Sequence, residues 1–546
     1  LKDDSEKKGD AGPDPAGMTE EQIRQAVEAR AAAEAAALAE KGAGGGGNGR
    51  REVTLAFVKG CLRCNELGDG LLYAGLHQGR YVYNTSSQKW LKWAGHHWEV
   101  DQLSEAVAAV EAVAEKYLEL AAATNAAIAK ETRMPTPDGD KVRRLKSRLD
   151  KCHRRALKLR GVRGRSCCIQ FAHTGPQPLS IRGDELDLNP WVLPCANGVI
   201  NLRTGELERG RPEQFLFKSA PTQWRGIDHP APTWERFLID VFDNDEPLIA
   251  YVWRLLGYCI TGHTHENILP VFWGQGRNGK GTIIETIKHV LGDLANPIQV
   301  EMLLDQGRSR SSAGPSPDIM ALKGARFTWA SESDDNRRFS TSRVKWLTGS
   351  DTLVGRWPND KYEVSFRPSH KLVLMTNNRP HAPSDDFAFW ERIHLIPFKL
   401  SFVNRQPQAD NERRADLGLG EKLQREAPGI LAWLVRGCLE WQRIGLDPPT
   451  VVREATNEYR REEDLLQDWI DECCIIDPAA VTKAAKLYAN FQTWYEENVS
   501  RKKSPSQRRF GQMLTKKFRR EKRGTYLYYG IDCLEPDGQD KIGGWD

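Results

Sequence analysis

An apolar run, Ile268–Trp273, leads directly into Gly274-Gln-Gly276-Arg-Asn278-Gly279-Lys280-Gly281-Thr282. The next residues place Ile283, Ile284, Ile287, Val290 and Leu291 on one helical face. No other segment restricts the fold as much. A buried strand that ends in a glycine-rich turn and resumes as an amphipathic helix belongs to α/β proteins. Glycines let successive backbone N–H groups converge on phosphate oxygens, and the helix N-terminus adds its positive dipole end. Lys280 extends the cradle as a point charge toward the β- and γ-phosphates. The loop therefore predicts an ATP site built by Gly274, Gly276, Asn278, Gly279, Lys280, Gly281 and Thr282. The hydroxyl that such loops carry directly after the lysine comes one place later, because Gly281 precedes Thr282. Thr282 is the expected hydroxyl ligand of phosphate or Mg2+.

Between residues 235 and 400, helical patterns alternate with further runs that are apolar on both faces: Arg326–Ala330, Leu372–Met375 and Ile393–Phe398. That alternation predicts a central parallel sheet covered on both sides. Glu332 follows the first of these runs, at a strand tip where such sheets bind ligands, and is expected to hold Mg2+ and polarise the attacking water. Asp334 and Asp335 come next, either assisting or forming a solvated turn. Asn377 follows the second run; its amide either orients that water or caps a turn.

The chain of 546 residues, 40% hydrophobic and 28% charged, is long enough for three or four domains. No stretch approaches the ~20 apolar residues of a membrane span, so a cytoplasmic protein is expected. Eleven scattered cysteines fit a reducing compartment. Cys61 and Cys64 lack two further ligands at zinc spacing and read as small semi-buried thiols. Residues 1–50 read as an Ala-rich tail and Gly linker. Residues 51–234 read as an α+β accessory domain: short strands between Val53 and Val100 (Tyr81–Tyr83, Trp90–Trp93, Trp98–Val100), an Ala-rich helix around Leu103–Ala127, and a hairpin around an Asn197-Gly198 turn. Within it, residues 130–165 are dense in Lys and Arg, either a DNA-facing helix or a solvated basic face. The sheet-and-helix region spans 235–475, and 476–546 forms a basic C-terminal unit of two helices and a Tyr-rich hairpin.

Several motifs in order carry a resemblance. Gly257-Tyr258 and Gly262, Gly276-x-Asn278-Gly279-Lys280, Ser331-Glu332, Val344-Lys345-x-Leu347-Thr-Gly349-x-Asp351, Thr376-Asn377-x-x-Pro380 and Trp390-x-Arg392-Ile393 resemble the superfamily-three helicases. The likeness is to the helicase half of phage, plasmid and poxvirus-type primase-helicases. Trp433-Leu-x-x-Gly437, Tyr459-Arg460-x-Glu462-x-Asp464, Asn189-Pro190 and Asn197-Gly198-Val199 extend it over about 180–475.

This resemblance implies an AAA+-like P-loop motor, a hexameric ring of identical chains with ATP between neighbours, moving 3′ to 5′ on single-stranded DNA. If phage-encoded, it would work in the host cytoplasm. On the same analogy Arg392 is the arginine finger that reaches the neighbour's γ-phosphate. Its rival role is an internal pair with Asp385 or Asp386. Lys345 either touches nucleotide across the interface or forms an internal salt bridge. Residues 352–364 form the expected channel hairpin, with Arg356 and Lys361 as strand contacts and Trp357 as a secondary one. The C-terminal unit resembles a winged helix, and Arg508, Arg509, Lys516 and Lys517 suit duplex DNA, with a protein-docking face as the alternative.

Two other functions compete with a helicase: a small-molecule phosphotransferase, and a P-loop ATPase regulator or DNA-packaging module that does not unwind. No apolar strand carries an Asp-x-Asp pair with a downstream His, so primer synthesis, if present, is expected in a segment upstream of Leu1.

Overall fold

The computed structural model describes residues 53–306, 315–332, 337–358, 363–498 and 504–534, with Ala29 and Ala33; at Glu332, Leu465 and Arg509 it describes the backbone alone. The tail and linker before residue 51, Asp334, Asp335 and Lys361 lie outside the described residues. Two compact units emerge, one of residues 1–201 with 206–224 and one of 202–205 with 225–546.

In the first unit the chain between Val53 and His77 is helical, not stranded as its pattern suggests. Helix Leu55–Arg63 is capped by Thr54, whose hydroxyl accepts from Phe57 N at 3.2 Å, and it buries Phe57, Val58, Cys61 and Leu62. Helix Asn65–His77 follows. Its glycines look like turn signals in sequence, but they serve close packing. A Cβ on Gly68 would lie 1.9 Å from the Cys61 carbonyl oxygen, and one on Gly70 would lie 2.5 Å from Phe171 Cβ. Strands Tyr81–Asn84, Lys89–Trp93 and Trp98–Val100 then pair antiparallel, with Ser180–Ile181 added in parallel.

Helices Glu111–Thr132, Gly139–Arg160 and Val162–Thr174 complete the core, which includes Cys61 and Cys64. Asp69, 3% exposed, pairs with Arg155 at 2.6 Å and accepts the Tyr117 hydroxyl at 2.9 Å. In the hairpin of Val192–Cys195 and Gly198–Asn201, Cys195 pairs with Gly198, so the turn is Ala196-Asn197, one residue earlier than expected. The Asn197 amide is occupied by the Trp224 backbone, donating to its carbonyl at 2.9 Å and accepting from its N–H at 2.8 Å.

The second unit is built on five strands: β1 (Leu269–Trp273), β2 (Ala295–Pro297), β3 (Phe327–Glu332), β4 (Lys371–Thr376) and β5 (Ile393–Pro397). All pair in parallel, in the order β5-β1-β4-β3-β2. The four runs that are apolar on both faces supply β1, β3, β4 and β5, which accounts for their burial on both sides. Thr376 pairs with both Glu332 and Trp273, and Pro397 pairs with Trp273, so the carboxyl ends of four strands lie flush. Strand order reverses at β1, which opens a crevice there. Helices Glu246–Cys259 and Ala427–Ile444 pack backbone to backbone: a Cβ on Gly257 would meet Cys438 N at 2.2 Å, and one on Gly437 would meet the Trp253 oxygen at 2.4 Å.

The end of this unit runs helix Leu465–Cys473, strand Val481–Lys483, helices Ala484–Asn498 and Gln507–Leu514, then strands Arg520–Arg523 and Thr525–Tyr529. Its core holds Trp469, Phe491, Phe510 and Tyr528. Among the described residues no helix is long and apolar enough to cross a membrane.

Candidate functional site

The loop after β1 passes into helix α1 (Lys280–Leu291) through Gly279, whose φ of +88° only glycine adopts cheaply. A Cβ there would also press on Val241 Cγ2 at 2.7 Å, and one on Gly274 would lie 2.3 Å from the Phe398 carbonyl oxygen. At Gly276 and Gly281 an added Cβ meets nothing within 4 Å. The backbone dictates the first two glycines; the other two border open space. The first N–H groups of α1 have no acceptors within the helix and are donors for this space.

Lys280 is 7% exposed and donates to the Gly274 carbonyl and to Asn377 Oδ1, the latter at 3.2 Å. Burial pulls its ammonium down to about 8. Asn278 is 4% exposed, and its Nδ2 has no hydrogen-bond partner among the described residues. Asn377 is fixed from β1, since Trp273 Nε1 donates to its carbonyl at 3.1 Å and Gly274 N donates to the Thr376 carbonyl at 3.3 Å. The backbone of Glu332 ends β3 at the same edge. The fold thus brings Lys280, Asn377 and the Glu332 backbone to one end of the sheet.

Beside the loop lies a cavity of about 610 Å3. Arg277, Gly279 and Thr282 form one wall; Thr233, Arg236, Phe237 and Asp240 of helix Pro232–Val241 form another; Phe402, Arg414 and Lys422 close it. Glu426 anchors that helix, its carboxylate accepting Thr233 N at 3.0 Å and Trp234 N at 3.1 Å. Of these residues only Gly279 and Thr282 were marked by the sequence. Helix 232–241 has an apolar stripe that marks it, but Phe402, Arg414 and Lys422 belong to no motif.

Arg392 stands at the other edge of the sheet. Its carbonyl accepts Leu269 N at 2.6 Å, at the start of β1, so the length of β1 separates it from Gly274, roughly 16 Å for five residues. Its guanidinium donates to the Ala388 carbonyl at 2.5 Å. The internal pairing weighed for it is not formed: Asp385 is bound by Lys516 and Asp386 by Lys345, both at 2.9 Å. Lys345 accordingly makes the internal salt bridge.

Strands Leu353–Gly355 and Val364–Phe366 pair antiparallel. Arg356 and Trp357 follow the first of them. The Arg356 backbone exchanges bonds with Ser316, and Trp357 is 41% exposed. In helix Gln507–Leu514, Arg508 is exposed. Lys516 and Lys517 after it form ion pairs with Asp385 and Asp464, both at 2.9 Å. The turn after β4 makes one more set of contacts. Arg379 lies over the rings of Trp273 (4.7 Å) and Tyr459 (5.3 Å) and bonds Glu462, and the Tyr459 hydroxyl donates to the Pro380 carbonyl.

Residues 71–243 match the family described as D5 N terminal like. The chain is 29% identical over 331 residues to "Putative helicase L207/L206" of Acanthamoeba polyphaga mimivirus, covering 58% of this chain and 34% of that protein. It is 24% identical over 244 residues to "Primase D5" of Fowlpox virus (strain NVSL), covering 42% and 30%. The chain thus spans about a third of the length of these relatives. The apo structure of the NrS-1 C terminal region (305-718) covers 60% of this chain and 88% of its own, at 12% identity and a TM-score of 0.34, too slight a likeness to carry the fold. Motif order and these relatives agree in likening the chain to superfamily-three primase-helicases.

Proposed function

We propose that this chain is an ATP-hydrolysing DNA helicase that acts as a hexameric ring, stepping 3′ to 5′ on one strand of DNA. One observation carries the reading. Lys280 and Asn377 sit at the carboxyl edge of the sheet while Arg392 sits a strand's length away. A finger in that position serves another protomer's site, which makes the active site a property of the interface.

The loop fits a nucleotide. Open space borders Gly276 and Gly281, Asn278 offers an orphaned buried amide, and Lys280 a buried cation. Lys280 and the α1 N–H groups would hold phosphates, and the adjoining cavity would take the nucleoside. Thr282 and Glu332 would hold Mg2+, which when bound neutralises phosphate charge. Asn377 would orient the attacking water, and Arg392 would balance charge developing on the γ-phosphate in trans. Arg356, Trp357 and Lys361 form the proposed strand contacts. The basic C-terminal unit, in a helix–strand–helix–helix–strand–strand order that suits a winged helix, would meet duplex DNA through Arg508 and Arg509. Lys516 and Lys517 reach DNA only by giving up their carboxylates.

The test mixes two inactive proteins, Lys280→Ala and Arg392→Ala, and follows ATP turnover on single-stranded DNA. Mixed rings contain intact composite sites, so turnover should return in part; its absence overturns the shared site. Strand displacement in the same samples distinguishes a helicase from a regulator or packaging ATPase.

A further inference from the structure

Helix Gly139–Arg160 carries more cations than the acids around it neutralise, and the structure sorts them. Its buried line, Leu145, Cys152, Ala156 and Leu159, runs along a core shared with helix Leu55–Arg63. Arg155, Lys158 and Arg160 are paired with Asp69, Glu66 and Glu111. Arg144, Arg148 and Lys151 form a different set. Their spacing of four and three puts them on one stripe beside the buried line. None of the three has a carboxylate within ion-pair distance among the described residues, and the same holds for Lys59 and Arg63, one turn apart on helix Leu55–Arg63. Arg63 and Arg144 are exposed, and the other three are half-buried. Arg148 is the chief cause that holds the Lys59 ammonium below its ordinary value, followed by burial and Arg63. Lys59, Arg63 and Arg148 are therefore like charges held close without an ion-paired acid, an arrangement that costs stability in the isolated protein.

We propose that Lys59, Arg63, Arg144, Arg148 and Lys151 form a seat for the sugar-phosphate backbone of duplex DNA, gripped without regard to sequence. The helix cations from 144 to 151 span about 10 Å, the axial length of about three phosphates on one strand at 3.4 Å each. Guanidinium forks match phosphate oxygens. Helix Gly139–Arg160 contains no Phe, Tyr or Trp, so it lacks the stacking platforms that hold unstacked single strands. A duplex keeps its bases inward and presents only backbone to such a surface.

The test uses the full chain, a blunt DNA duplex and no nucleotide, so failure of the ATPase reading would leave its outcome untouched. Affinity is measured between about 50 and 200 mM salt for the parent and for the triple variant Arg63→Gln, Arg148→Gln, Lys151→Gln. Each lost phosphate contact lowers the salt slope by about 0.9, so the triple variant's slope should be about 2.7 shallower. Over that salt range the parent should lose about 40-fold more affinity than the variant. Arg160→Gln, which removes a cation already paired with Glu111, should keep the parental slope. Without DNA, Lys59→Gln should melt no lower than the parent, because it relieves repulsion. An unchanged slope in the triple variant overturns the proposal. So does a loss confined to single strands, a matching loss of binding to acidic phospholipid vesicles, or a lower melting point for Lys59→Gln.

Discussion

A lysine that serves a ligand should cost the protein stability when that ligand is absent, and Lys280 allows the cost to be worked out. Burial lowers its ammonium from an ordinary 10.5 to about 8. A displacement of that size corresponds to about 3 kcal/mol of disfavoured charge. Because the folded value lies below the unfolded one, the folded state binds the proton more weakly. Below pH 8 the lysine is charged in both states, and the folded protein bears the whole penalty. As pH rises toward 10.5 the folded protein releases its proton first, and the penalty fades. Lys280→Met keeps much of the side-chain volume and removes the charge. Guanidinium denaturation followed by tryptophan fluorescence, without nucleotide, should find it more stable than the parent by about 3 kcal/mol at pH 7. The two should converge near pH 10.5. Saturating ATP should reverse the order at pH 7, because the ligand stabilises only the protein that binds it. A methionine variant less stable than the parent at pH 7 would show that Lys280 holds the loop together for its own sake, and would refute the reasoning.

Gly279→Ala combines a left-handed backbone with the Val241 contact and should cost about 1–3 kcal/mol in denaturation; an unaltered midpoint would contradict the loop geometry. Glu426→Ala leaves Thr233 and Trp234 N–H groups uncapped, which should cost about 1–2 kcal/mol and weaken nucleotide binding through the cavity wall. Normal affinity measured by fluorescent nucleotide titration would separate the cavity from the site. Burial holds His77 and His394 at about 4, below their ordinary 6.5. The folded state takes up fewer protons there, so stability is complete above pH 6.5 and falls as pH drops toward 4, by up to about 3 kcal/mol for each histidine. A melting temperature that stays flat between pH 7 and 4.5 would count against both assignments.

The sheet was legible in sequence where its chemistry was extreme. Four runs apolar on both faces have few alternatives to burial in a parallel sheet, and the loop between β1 and α1 is dictated by backbone strain at Gly279. β2 escaped notice because three residues ending in Pro297 make no pattern, as suits an edge strand. Helix Asn65–His77 was hidden by Gly68 and Gly70, which allow the close approach of the preceding helix at Cys61 and of the distant Phe171. The loop lysine and its Asn377 partner could be named from motif order. The cavity could not, since two of its walls come from residues 232–240 and 402–422, which lie far apart in sequence. The internal salt bridge of Lys345 was one of two readings left open, whereas the ion pairs of Lys516 and Lys517 were invisible, because a count of basic residues does not reveal which of them already have carboxylates.

The turn after β4 works as a lever with two loaded ends. Asn377 touches the loop lysine, and two residues on Arg379 is wedged between Trp273 and Tyr459 and tied to Glu462. So short a stretch of backbone cannot rotate at one end and stay still at the other. A change in what Lys280 grasps should therefore reach the C-terminal end of helix Thr450–Glu462, the end from which the chain runs on into helix Leu465–Cys473.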